Sequence, residues 1–340
     1  MTDPHPGLVE IEAAAAILGP LVRETPTWPF RDELMDRLLP KGTTPLLKLE
    51  LFQYAGSFKA RGALSVMLGL TVSARARGVT AVSAGNHAIA VSWAARTLGT
   101  SAKVVMPRSA DPFRVARCVA LGAEVVLAED VHAAFALAER IECDEGRAFV
   151  HPFEGPRTAL GTATLGRELL LQAPDVDAVL VPVGGGGLAA GVSAAIKQIK
   201  PSCLVIGVEP EANDVMLRSL KSGKPEGVPE GGYRTIADSL SPPYTMPYSL
   251  DLCRRYLDDL VLVSDDAMRE AMAILFRGAK LAVEPAGASA TAALLGPLRE
   301  RLAGRQVALI VCGTNIAPDR YLEHLNKGMA LLDRRLGTAP

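Results

Sequence analysis

Short apolar runs alternate with amphipathic stretches along this chain, and the alternation sets the expected elements. Residues 8–18 (LVEIEAAAAIL) read as a helix closed by Gly19-Pro20, and residues 45–51 as a strand. Strands are expected at 79–83, 102–106, 124–127 and 148–150, separated by helices at 88–97, 111–120 and 131–142. The second half repeats the rhythm. Strand 178–183 runs through four glycines into helix 188–199, and strand 203–208 ends at Glu209. Residues 222–247 are rich in Gly and Pro and read as a loop too polar for core. Strand 260–263 precedes Ser264, a suitable N-cap for helix 265–277, whose apolar residues 268, 272, 275 and 276 share one face. Helix 287–301 then leads to strand 307–311, which delivers Cys312-Gly313-Thr314-Asn315. Strands alternating with helices in this way imply parallel sheets covered by helices, an α/β architecture.

The 340 residues suffice for two domains sharing a large core. A hydrophobic fraction of 49% is globular, and a net charge of −1 gives no electrostatic footprint for nucleic acid or an anionic membrane. No apolar run is long enough to span a bilayer, and no signal peptide is read at the start. The five cysteines are scattered without a CxxC pair, which suits a reduced, cytoplasmic protein without structural zinc.

The candidate chemistry sits where strands end. Gly184, Gly185, Gly186 and Gly187 could turn backbone N–H groups toward a phosphate at the start of a helix. The same letters, Gly184-x-Gly186-x-x-Ala189 with Glu209 ending the next strand, satisfy a loose dinucleotide fingerprint. A tight structural turn is the third reading. In Gly56-Ser57-Phe58-Lys59-Ala60-Arg61-Gly62-Ala63, Ser57 is expected to cap a helix with Lys59 in its first turn. The helix dipole there favours the neutral amine that attacks a carbonyl. Gly56 and Gly62 would let backbone approach a bound group. The octapeptide equally suits an ordinary solvated lysine. Ser83-Ala84-Gly85-Asn86-His87 opens another helix, where exposed N–H groups suit a carboxylate. Because strand C-termini of a parallel sheet share one edge, Lys59, Asn86, the glycine run and Cys312 could converge.

Taken together, GSFKARGA (56–63), SAGNHA (83–88), VGGGGL (183–188), VEP (208–210), TIAD (235–238), VEPAGA (283–288) and CGTN (312–315) resemble the fold-type-II pyridoxal-phosphate (PLP) enzymes, specifically the threonine/serine dehydratase and serine racemase group. The resemblance runs from about residue 8 to about 325. It implies a two-domain, tryptophan synthase β-like fold, each domain an open, mainly parallel sheet flanked by helices. A large PLP-binding domain would comprise 1–68 and 156–340, and a small substrate-closing domain 69–155. Lys59 would hold PLP as a Schiff base and act as catalytic base, with Phe58 against the ring and Asn86 on the ring hydroxyl. Gly184 through Leu188 would cradle the phosphate. Ser83, Ala84, Gly85, Asn86 and His87, with Ser239, would receive the substrate, and Cys312 would face the pyridine nitrogen. A neutral partner there favours β-elimination. The implied reaction converts a β-hydroxy amino acid such as L-threonine or L-serine to a 2-oxo acid and ammonia. The implied assembly is a homodimer.

Departures from the family pattern qualify the substrate. Ser239 stands where TIADG has glycine, and Leu160-Gly161-Thr162-Ala163-Thr164 stands where AGQGT is usual, so 3-hydroxyaspartate and phenylserine are alternatives to threonine and serine. Glu209 and Asp214 are candidate ligands of a divalent or monovalent cation, but Val215 occupies the second aspartate position. A racemase would need an acid opposite Lys59; Ala84 carries none, leaving His87 as the substitute. Two other classes stay open: a dinucleotide-dependent oxidoreductase and a non-catalytic PLP-binding protein. With 340 residues, no C-terminal regulatory domain and no feedback by isoleucine are expected.

Overall fold

The computed structural model describes residues 5–229 and 235–338, and it contains two sheets. The strands are β1 (Thr27–Pro29), β2 (Thr44–Lys48), β3 (Val79–Val82), β4 (Ala102–Pro107), β5 (Glu124–Ala128), β6 (Ala148–Phe149), β7 (Ala178–Pro182), β8 (Leu204–Pro210), β9 (Asp259–Val263) and β10 (Gln306–Ile310). The helices are α1 (Leu8–Leu18), α2 (Glu33–Leu38), α3 (Lys59–Leu68), α4 (Val72–Ala76), α5 (Asn86–Thr97), α6 (Pro112–Ala120) and α7 (Val131–Glu145). They continue with α8 (Pro156–Gln172), α9 (Gly187–Ile199), α10 (Val215–Ser222), α11 (Pro247–Tyr256), α12 (Asp265–Ala279), α13 (Pro285–Leu295) and α14 (Pro318–Leu336).

One sheet has the order β1-β2-β10-β7-β8-β9, and all pairs are parallel except the edge pair β1–β2. The other has the order β5-β4-β3-β6 and is wholly parallel. Its strands all come from residues 79–149, inserted between β2 and β7 of the larger sheet. The central strands are buried along their length: β3 and β7 expose no residue, as parallel strands covered on both faces must.

Sequence patterning locates β2 to β10 to within three residues but not the short edge strand β1, and Ser264 caps α12 as expected, accepting from the Ala267 N–H at 3.2 Å. Other elements were not legible. Helix α8 is built from PRTALGTATLGRELLLQ, in which threonine and glycine obscure any amphipathic stripe. Those small residues let it touch its neighbours: a β-carbon at Gly161 would lie 2.5 Å from the Arg61 carbonyl oxygen of α3, and one at Gly166 would lie 2.7 Å from that of Val192 in α9. The loop expected over 222–247 contains a 3₁₀ turn, Asp238–Leu240, with Ala237 and Leu240 buried, and α11 starts at its end; residues 230–234 of that stretch lie outside the described residues. The helix expected at 287–301 runs instead from Pro285 to Leu295 and stops at Gly296.

The start of α3 is fixed by a buried ionic cluster. Arg61 donates from Nε and Nη2 to the two carboxylate oxygens of Glu50, at 2.9 and 2.8 Å, and from Nη2 to Glu168 of α8. Lys48, at the end of β2, donates to Glu168 and to the Thr25 carbonyl, both at 2.6 Å. Glu50 and Lys48 are fully buried and Arg61 almost so. Burial pushes the Glu50 carboxyl up, but the Arg61 charge and hydrogen bonds outweigh it and hold the group below its ordinary value. The cluster ties β2, α3 and α8 together two residues from Lys59. Removing one member of such a set strands a buried charge. Arg61→Ala is therefore expected to cost about 3–5 kcal/mol of stability, read by urea denaturation of the cofactor-free protein; a loss below ~1 kcal/mol would assign the cluster no such weight.

Candidate active site

A cavity of ≈200 Å³ opens between the two sheets, and Lys59, Ser83–His87, Gly184–Leu188, Ser239 and Cys312 all line it. The convergence follows from topology. The segments after β3, β7 and β10 leave the C-terminal ends of parallel strands, and α3 starts shortly after the end of β2.

Lys59 is the first residue of α3, as the sequence suggests, but Ser57 does not cap the helix. Ser57 lies in extended backbone, bridged antiparallel to Gly313, and its buried hydroxyl has no hydrogen-bond partner. Phe58, whose N–H donates to the Cys312 carbonyl at 3.1 Å, occupies the cap position. Gly56 and Gly62 serve packing rather than ligand approach. Gly56 has φ of +72° and its missing β-carbon makes room for the Asn315 amide, whereas Gly62 faces Thr158 of α8. The Lys59 Nζ donates to the Pro152 carbonyl at 2.5 Å and lies 5.1 Å from the Phe58 ring centre. Burial pushes its ammonium down to about 8, so a substantial share of the amine is neutral near physiological pH.

Two helix starts face the same space with amides unsatisfied. Among the described residues, none accepts a hydrogen bond from the N–H of Gly184, Gly185, Gly186, Gly187 or Leu188, although all five residues are buried at the start of α9. A row of buried, unpartnered donors at a helix N-terminus is costly unless an anion accepts from it. The residues therefore fit the phosphate of a cofactor. The glycines are also demanded by packing: β-carbons at Gly184 and Gly187 would crowd Leu240 and the Phe153 backbone, and Gly186 has φ of +91°. At the start of α5, the Ala84, Asn86 and His87 N–H groups likewise find no acceptor, while the Gly85 N–H turns back to the Ser83 hydroxyl at 3.0 Å. This second nest suits a carboxylate.

The remaining expected residues are held by partners the sequence did not reveal. The Asn86 amide nitrogen donates to Glu284 at 2.6 Å and to the Ser239 hydroxyl at 3.1 Å, and its oxygen accepts from Asn315 at 2.5 Å. Burial pushes the Glu284 carboxyl up to about 7. Arg114 of α6 donates to both carboxylate oxygens of Asp238 and, through Nε, to the Asn315 carbonyl, joining the small-sheet side of the cleft to the large-sheet side. Glu284, Asp238 and Asn315 lie within the motifs VEPAGA, TIAD and CGTN, but nothing local shows that they would meet, and Arg114 lies in none of the motifs. Cys312 is buried, and burial raises its thiol well above the ordinary value, so it is a neutral group at the cavity floor. His87 places Nε2 2.8 Å from the Val150 carbonyl, and burial pushes its ring down to about 3.

Glu209 and Asp214 are engaged elsewhere. Glu209 accepts from the Met216 and Leu217 N–H groups, capping α10, and Asp214 pairs with Arg218 at 2.9 Å. Among the described residues no group of three His, Cys, Asp or Glu side chains could hold a metal ion. A larger cavity of ≈470 Å³ between α1, α3 and α8 shares none of the lysine, glycine-run or SAGNH groups.

Comparison with known proteins places these features in context. A family model described as pyridoxal-phosphate dependent enzyme matches residues 21–313. The phenylserine dehydratase of Ralstonia pickettii is 54% identical over 327 residues, covering 96% of this chain and 98% of that one. The L-threonine ammonia-lyase of Thermotoga maritima is 39% identical, over 85% of this chain and 72% of the relative. Among solved structures, maize serine racemase superposes with a TM-score of 0.88 at 30% identity, over 97% and 99% of the two chains. The buried lysine offers the direct check on the site's electrostatics. Competitive amine labelling of the cofactor-free protein across pH should show Lys59 reacting with a midpoint near pH 8; a midpoint at the ordinary lysine value would contradict the burial argument.

Proposed function

The chain belongs to the pyridoxal-phosphate dependent enzyme family, and from that premise we propose that it dehydrates and deaminates a β-hydroxy amino acid to a 2-oxo acid and ammonia. One observation carries the reading: a buried, readily neutral lysine shares its cavity with two helix starts whose amides have no acceptor within the protein. One set of donors fits the cofactor phosphate, the other the substrate carboxylate. We assign Lys59 as the tether and base, Gly184 through Leu188 as the phosphate cradle, Ser83 through His87 as the carboxylate nest, and Asn86 and Cys312 to the cofactor ring.

When bound, pyridoxal phosphate supplies the electron sink that lets an amino acid lose its α-proton. The protein supplies the rest. The α5 start orients the substrate carboxylate, and the Lys59 Nζ, neutral near its depressed pKa, accepts the α-proton. Asn86 is held by Glu284 and Asn315 and so presents a fixed amide. Cys312 stays a neutral thiol beside the ring site and adds no charge there. The segment 69–155 is proposed to act as the lobe that closes on substrate, with Arg114 bridging to Asp238 and Asn315.

Racemisation is disfavoured by two features. Ala84 has no proton to give, and His87, pushed down to about 3, is unprotonated at neutral pH. A dinucleotide reading would put Glu209 on a ribose, yet both its oxygens accept from α10 amides. The likeness to the phenylserine dehydratase and the threonine ammonia-lyase leaves phenylserine, threonine and serine as substrates to compare. On family likeness the working form is proposed to be a cytoplasmic homodimer, a mass that light scattering reads; no described helix is long and apolar enough to cross a membrane.

The test is product analysis. Holoenzyme incubated with each L-amino acid should release ammonia and 2-oxo acid in equal amounts with little D-isomer by chiral chromatography. Lys59→Ala should lower turnover by several orders of magnitude. Inversion at the α-carbon as fast as ammonia release would make the protein a racemase, and cofactor binding without turnover of any substrate would make it a non-catalytic binding protein.

A further inference from the structure

The cavity has two ends of opposite character. Lys59, Asn86, Arg114, Asp238 and Glu284 make one polar and charged, whereas Val131 and Phe135 of α7 face Pro243 and Tyr244 of the segment before α11 at the other. The ring centres of Phe135 and Tyr244 are 6.1 Å apart and tilted by 44°, and Tyr244 meets Phe153 at 6.5 Å nearly edge-on. Phe135 and Tyr244 are only half-buried, and the Tyr244 hydroxyl makes no hydrogen bond to any described residue. Phe135, Phe153 and Tyr244 thus form an aromatic patch on the cavity wall, with the Phe153 ring beside Gly185.

We propose that this aromatic end is a specificity slot for an aryl group on the β-carbon of the substrate, with Phe135 and Tyr244 as the residues that select it. The inference rests on the assigned orientation, in which Lys59 and the α5 amides hold the α-amino and carboxylate groups. With those groups fixed at the polar end, the β-substituent is the part of the substrate left to reach the rings. A hydrogen or methyl substituent fills little of that space, whereas a phenyl ring meets rings at edge-to-face and offset separations and buries apolar surface. A carboxylate substituent would find no cation among Val131, Phe135, Pro243 and Tyr244, and Arg114 at the polar end is already paired with Asp238. Phe135 comes from the small-sheet side and Tyr244 from the large-sheet side, so an aryl group would contact both walls of the cleft.

The experiment separates binding from turnover. L-phenylalanine has no β-hydroxyl to expel, so its apparent dissociation constant on the holoenzyme, compared with that of L-alanine and followed through the cofactor's visible absorbance as each amine exchanges with the lysine, reads the slot without elimination. L-phenylalanine should bind at least tenfold tighter than L-alanine. Phe135→Ala and Tyr244→Ala should each erase most of that ratio while leaving L-alanine affinity within about threefold. Tyr244→Phe, which keeps the ring, should retain the preference and serves as the folding control. In turnover, the same alanine variants should lower kcat/KM for 3-phenylserine by about 10- to 100-fold and for threonine by much less. Equal affinity for phenylalanine and alanine, or a preference that survives both alanine variants, overturns the slot. Failure of every β-hydroxy amino acid to release ammonia would instead remove the dehydratase reading, and the binding ratio would still decide the slot.

Discussion

Two rows of backbone N–H groups without acceptors are the constraint around which this molecule is organised. Hydrogen bonds saturate the interior of a folded protein, and buried donors left over are expensive. Among the described residues, rows of such backbone donors lie at the starts of α5 and α9, and both open onto one cavity. Each start follows a central parallel strand, β3 in one sheet and β7 in the other, so the cavity necessarily lies between the sheets. The cost is accepted where anions complete the structure. Cofactor phosphate and substrate carboxylate are the natural complements, and with both bound these two rows of amides would have acceptors.

Lys59, the proposed reactive element, shares the cavity with these rows, and its placement depends on how firmly α3 is seated. The buried Arg61–Glu50–Glu168–Lys48 cluster fastens the first turn of α3 to β2 and α8, while Phe58 and Ser57 lock onto the strand end carrying Cys312 and Gly313. The lysine is thereby held in a buried position where its proton is weakly bound. The same rigidity extends across the cleft through Arg114, Asp238, Asn315, Asn86 and Glu284, a network that couples the cofactor edge to both walls.

Much of this was legible in the sequence because punctuation at strand ends is local. Gly184–Gly187, Ser83–His87 and Lys59 are each a few letters that sit at an element boundary, and a parallel α/β rhythm brings such boundaries to one edge. What escaped reading is tertiary. Helix α8 carries threonines and glycines because it is squeezed between α3 and α9, so its face shows no hydrophobic stripe. Ser57 resembles a helix cap, yet its backbone is claimed by Gly313. Glu209 resembled a ribose or metal ligand, but the two α10 amides take both its oxygens. Phe135 and Tyr244 are 109 positions apart and gave no signal of meeting.

The claim on which the whole account depends is that Lys59 alone carries the cofactor. Holoenzyme reduced with borohydride fixes the cofactor to whichever amine holds it, and peptide mass mapping then reads the position. The account requires a single modified peptide, with the added mass on Lys59. Label on another lysine, or none on any, would contradict it.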